Sequence, residues 1–224
     1  MKNKIILATC LLTTVLWADF TLEYQMENKM KQVVQYKDAQ HVKIMTEGEK
    51  GMLGGQLIVG EKRYMVMKQG EETKYMDMDV MMEQMKKMAK MFGGALEEEM
   101  KTPKAPEFKV IKKGEKKKVA GVDAQVWTVE VEEEGKKERM DVVVTNDSKI
   151  VDAIHKYTDV MKQFTQMDGE EDDALSSLFN IAEGYVVVSF DGMKLVKYDD
   201  ADISDSVFVL PAGTDIGEKL KKIR

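Results

Sequence analysis

Thioethers are soft ligands suited to Cu(I). Two runs in this chain place them at every second residue, Met65-Val66-Met67 and Met76-Asp77-Met78. On a strand that spacing puts both sulfurs on one side. A Cu(I) site gains from a His or Cys partner, but His41 and His155 stand isolated in sequence and the one cysteine, Cys10, lies in an N-terminal apolar run. The aspartates at 199, 200, 202 and 205 do not make a calcium loop. Counted from Asp200, the sixth place is Asp205 rather than Gly and the twelfth is Pro211 rather than Glu; counted from Asp168, they are Asp173 and Phe179. The chain holds no G-x-S-x-G, no H-E-x-x-H and no phosphate-binding glycine loop. Nothing sets one carboxylate apart as a general acid or base. The expectation is a protein that is not an enzyme and carries no cofactor and no metal.

The strongest chemical signal is apolar. Residues 76–92 read MDMDVMMEQMKKMAKMF and hold seven of the nineteen methionines. On a helix, Met78, Met81, Met82, Met85, Met88, Ala89 and Phe92 fall within about a 120° arc, with Glu83, Lys86, Lys87 and Lys90 opposite. Methionine is unbranched and polarizable, so this face suits irregular or changeable apolar partners. Met78, Met81, Met82, Met85 and Phe92 are therefore the candidate ligand-binding residues. The competing reading is that the same stripe fills the core between helix and sheet.

The first 18 residues bound the setting. Lys2 and Lys4 precede a mostly apolar run, and Ala18 is a small residue at a plausible cleavage point before Asp19. This is the pattern of a secretory signal peptide, leaving 206 residues (224 less 18) as one domain, 19–224. A lipid anchor through Cys10 is disfavoured, because Thr9 is a poor residue before it and the apolar run continues past it. The rest of the chain has no cysteine, so it can form no disulfide in an oxidising compartment. Losing Lys2 and Lys4 takes the formal charge from −6 to −8, two positive charges fewer. That acidic balance argues against a nucleic-acid partner.

These residues need elements to hold them. Residues 20–27 alternate apolar and polar strictly, as a half-buried strand does. Residues 33–36, 41–45, 56–59, 63–68 and 74–76 continue as short strands, with Gly48, Gly51, Gly54 and Gly55 read as breaks. The spacing predicts an antiparallel meander with one wet face, then the methionine helix ended by Gly93-Gly94. Residues 97–118 are charged and contain Pro103 and Pro106, which reads as a long connection, with the lysines at 112–118 on a solvated hairpin. A hairpin of 126–131 with 139–145 follows, then a helix over 150–164. Residues 174–182 suit a short helix, and 185–190, 194–198 and 207–210 suit strands. The expected class is α+β: a curved antiparallel β-sheet, an open half-barrel, covered by two or three α-helices.

Three features carry a family likeness: the alternating strand at 20–27 directly after the leader, the segment Val119-Ala120-Gly121-Val122-Asp123-Ala124-Gln125-Val126-Trp127, and the close Asp205-Ser206-Val207-Phe208-Val209-Leu210-Pro211-Ala212-Gly213. With them the chain resembles the LolA/LolB-like superfamily of bacterial envelope proteins and its related domains of unknown function. Val122 and Thr214 stand where aromatics are common in that pattern. The resemblance implies the half-barrel, a periplasmic location, and an apolar hollow that binds or carries a lipid or lipoprotein acyl chain. Residues 76–92 and 150–164 would then be its covering helices, and a transient contact with the membrane would fit. A methionine-rich Cu(I)-handling protein and an envelope interaction module without a small ligand are the alternatives. The sequence leaves ligand identity and oligomeric state open.

Overall fold

The computed structural model describes residues 19–49, 51–91, 107–133, 136–165, 177, 179 and 181–217. The leader expected over 1–18, Gly93-Gly94, the prolines at 103 and 106, and most of the short helix expected over 174–182 lie outside the described residues.

The chain first runs as a meander: β1 (Phe20–Gln25), β2 (Lys31–Asp38), β3 (His41–Gly48), β4 (Gly51–Val59), β5 (Lys62–Gln69) and β6 (Glu72–Asp77). Helix α1 (Met78–Met91) follows. A second set comprises β7 (Glu107–Val119), β8 (Val122–Glu133), β9 (Lys136–Thr145), helix α2 (Ser148–Thr165), β10 (Val186–Phe190), β11 (Met193–Asp199) and the short β12 (Thr214–Asp215). All twelve strands join one sheet in the order β12-β6-β5-β4-β3-β2-β1-β11-β10-β9-β8-β7. The first meander runs outward from β1 to one edge. The second begins at the opposite edge and returns to pair β11 with β1. Every pairing is antiparallel except β12 with β6.

Local chemistry accounts for the turns and caps. Ala120 and Gly121, at φ 50 and 85, give the β7–β8 hairpin its two left-handed residues, as a two-residue turn demands. Asp147 opens α2, its carboxylate accepting the N–H groups of Lys149 (3.1 Å) and Ile150 (3.2 Å). From α2, Ile150, Ala153, Ile154, Tyr157 and Val160 enter the main core, which runs from Phe20, Leu22 and Tyr24 to Trp127 and Val142. A second core occupies the other face of β3–β5: Met45, Leu57, Tyr64 and Val66 with Ile203 and Phe208. Successive residues such as Leu57 and Ile58 are thus buried on opposite faces.

This architecture corrects the expected class. The sheet is mixed rather than purely antiparallel, strand dominates, and the described residues contain two α-helices rather than a covering layer of two or three. The reason is geometric. Helices of 14 and 18 residues are only about 21 and 27 Å long, too little to cover twelve strands. The second face of β3–β5 is closed instead by residues 200–213, which contain no α-helix, so that part of the meander has no wet face. Residues 207–210, expected as a strand, lie at the end of a 3-10 turn (Asp205–Phe208) and beyond it. Gly54 and Gly55 do not break a strand; they lie inside β4. A Cβ at Gly54 would sit 2.9 Å from the Val66 carbonyl oxygen, and one at Gly55 would collide with the Ile44 carbonyl. Finally, residues 107–118 are not a connection but the edge strand β7.

Candidate functional site

The register of three strands builds the site. Gln56 of β4 opposes Met65 of β5, and Met65 opposes Met76 of β6. Directly opposed residues share a face, so these side chains form a row at the usual strand spacing of about 4.8 Å. The next row holds Gly54, Met67 and Lys74. Gly54 contributes no side chain beside Met67, which is itself 37% exposed.

Helix α1 follows β6 without a gap and lies against β5 and β6. Asp77 accepts the N–H of Asp79 (2.9 Å), and Arg63 donates to the Asp79 carboxylate (2.8 Å), which fixes the first turn over β5. The candidate residues then divide. Met78 is buried in the main core and Met81 packs at its margin. Met82 and Met85 are half-buried, and Met88 is 48% exposed. Phe92 lies outside the described residues. The structure therefore brings Met78, Met81, Met82 and Met85 to one helix beside Met65 and Met76, and leaves the middle of the stripe half open.

Two polar atoms on the main-core face have no hydrogen-bond partner among the described residues, the Gln56 Oε1 and the Tyr24 hydroxyl. Such atoms are uncommon, because an unsatisfied buried polar group costs about 1–3 kcal/mol. Tyr24 is fully buried, its ring 6.4 Å from that of Tyr157. The Tyr157 hydroxyl donates to Gln32 Oε1 (3.3 Å). Burial raises both phenols, with Tyr157 pushed up to about 12; Tyr157 adds to the rise at Tyr24. Sequence reasoning missed Gln56. The available signal was a polar side chain in phase with Ile58 on the inward side of an alternating strand.

The copper candidates are partly assembled. Met65 and Met76 oppose each other and share a face, whereas Met67 opposes Lys74 and Met78 belongs to α1, beyond the other end of the β5–β6 ladder. His41 belongs elsewhere: its Nδ1 lies 2.9 Å from Asp38 and its ring meets Phe208 edge-on. His155 lines an open pocket of about 420 Å³ with Thr158, Asp159 and Glu183. Among the described residues, no three His, Cys, Asp or Glu side chains are grouped to hold a metal ion. Of the aspartates weighed for a calcium loop, three form ion pairs with lysines. Asp200 meets Lys149 at 2.5 Å, Asp199 meets Lys197 at 3.0 Å, and Asp205 pairs with Lys37. Each lysine holds its partner's carboxyl below the ordinary aspartate range.

No helix among the described residues is long and apolar enough to cross a membrane. No family model, curated protein or solved structure matches the chain.

Proposed function

We propose that this is an exported, non-enzymatic protein of the bacterial envelope that binds or carries an apolar ligand, a lipid or a lipoprotein acyl chain. The ligand lies along the methionine row of β5 and β6, beneath Met82 and Met85. One observation carries the reading: the row Gln56, Met65, Met76 sits beside methionines that are neither packed shut nor fully exposed. Thioether side chains can repack around a flexible acyl chain. Each buried methylene contributes roughly 0.8 kcal/mol. The unpartnered Gln56 amide oxygen would accept from a hydroxyl or amide N–H at the polar end of such a ligand. The likeness to LolA/LolB-type proteins supports the same reading.

The cross-strand neighbours Met65 and Met76 favour Cu(I) as a second reading. One experiment separates them. Protein purified gently from envelope material is extracted, and both lipid and copper are measured. Stoichiometric lipid with trace copper supports the proposal. Stoichiometric Cu(I), lost in Met65→Ser/Met67→Ser, supports the second reading. An empty protein that takes up neither contradicts both.

A further inference from the structure

The acidic chain concentrates positive charge on one edge of its sheet. Strand β7 is last in the strand order, so among the described residues it has no neighbour on its outer side. It carries Lys109, Lys112, Lys113, Lys116, Lys117 and Lys118 against Glu107 and Glu115, a local charge of +4 in a chain of −6. All six lysines are exposed. Lys118 meets Asp123 at 3.4 Å, and Lys113 sits 4.5 Å above the Trp127 ring. The other four form no ion pair among the described residues.

The register places Lys113, Lys116 and Lys118 on the Trp127 side of the sheet, and Lys109, Lys112 and Lys117 on the other. The free edge is therefore flanked by lysines on both sides. A flat anionic surface meeting the edge end-on can reach both sets, since long lysine side chains extend their charge past the backbone. Ile111, 41% exposed at a bulge, adds an apolar tooth to the same edge. Addition of a partner strand fits less well. The ladder is interrupted between Val110 and Lys112 and again between Lys113 and Lys116, so the edge offers no long regular row of backbone groups.

We infer that β7 is a docking edge for the anionic headgroups of a phospholipid bilayer. Charge complementarity is the argument: unpaired surface lysines gain from a negative leaflet within a Debye length. Edge lysines also discourage strand addition, but that role gives no preference for one lipid over another.

The test uses the protein as secretion leaves it and compares variants that share its N-terminus. Cosedimentation is measured with phosphatidylcholine vesicles, with and without phosphatidylglycerol. The wild type should bind only the phosphatidylglycerol vesicles and release near 1 M salt, where the Debye length is about 3 Å. Lys112→Glu/Lys116→Glu/Lys117→Glu should bind on the order of 100-fold more weakly, from about fivefold for each lysine. Glutamate keeps the edge charged, so strand addition stays blocked. Lys62→Glu/Lys68→Glu/Lys194→Glu makes the same charge change at other exposed sites and should bind far better than the β7 variant. Equal loss in both variants, equal binding to phosphatidylcholine alone, or capture of polyglutamate but not vesicles would overturn the assignment.

Discussion

At the scale of single residues, the main-core face is defined by the polar atoms it fails to satisfy. Gln56 puts an amide oxygen there without a partner among the described residues, so its replacement separates stability from binding. Gln56→Met keeps a long unbranched side chain and removes the unsatisfied group. The variant should be more stable in denaturant titration by about 1 kcal/mol, yet bind hydroxyl- or amide-bearing lipids more weakly. A loss of stability would mean that Gln56 is already satisfied in solution. Tyr157 gives a prediction in pH. Its folded-state pKa of about 12 lies above the ordinary value of 10.0. The folded protein thus keeps a proton that the unfolded chain loses. The stabilising contribution is complete below about pH 10 and fades as pH rises toward 12, by up to about 1.4 kcal/mol per pH unit. Urea unfolding at about pH 8 and about pH 11 should show this fall, and Tyr157→Phe should flatten it. An equally steep fall in the variant would assign the effect to other groups.

At the scale of elements, residues 200–213 replace a helix as the cover of β3–β5. Asp19 accepts the N–H of Ile203 (2.7 Å), and Lys37 reaches both Asp205 and the Ile203 carbonyl. Ser204 caps the 3-10 turn, and Phe208 is driven into the second core. At the end of the strap, a Cβ at Gly213 would collide with the Thr73 carbonyl, so only glycine lets β12 approach β6. Phe208→Ala should cost about 3–5 kcal/mol in chemical unfolding, and should raise amide exchange in β3–β5 more than in β8–β9. Uniform exchange across the sheet would contradict a local strap. The sequence displayed the residues of this element but not its form. Val207-Phe208-Val209-Leu210 has strand-like composition, and only the long-range contacts with His41 and Leu57 turn it into a plug. Strand β7 was hidden for a related reason. Lysine has low strand propensity, and two bulges spoil the alternation that reveals β1 and β8 at sight. Helices α1 and α2 were legible because their apolar periodicity is local and survives any tertiary arrangement.

At the scale of the whole molecule, strand order determines what each face can do. The return of the second meander to β1 makes a sheet too broad for two helices, so apolar surface must be closed by strap, side chains or ligand. The neighbours that form the methionine face come from the register of β4, β5 and β6, which no local pattern in sequence states. The methionine stripe was visible from the start, but its division into buried Met78, half-open Met82 and Met85, and exposed Met88 depends on where α1 meets β5. Changing Met82 and Met85 alters the half-open part and spares Met78 in the core. A fluorescent acyl-chain probe titrated into wild type and Met82→Asp/Met85→Asp, with unfolding curves confirming that both are folded, tests the central claim most directly. Saturable binding by the wild type and none by the folded variant is the expected result; equal binding by both would rule out a ligand beneath Met82 and Met85.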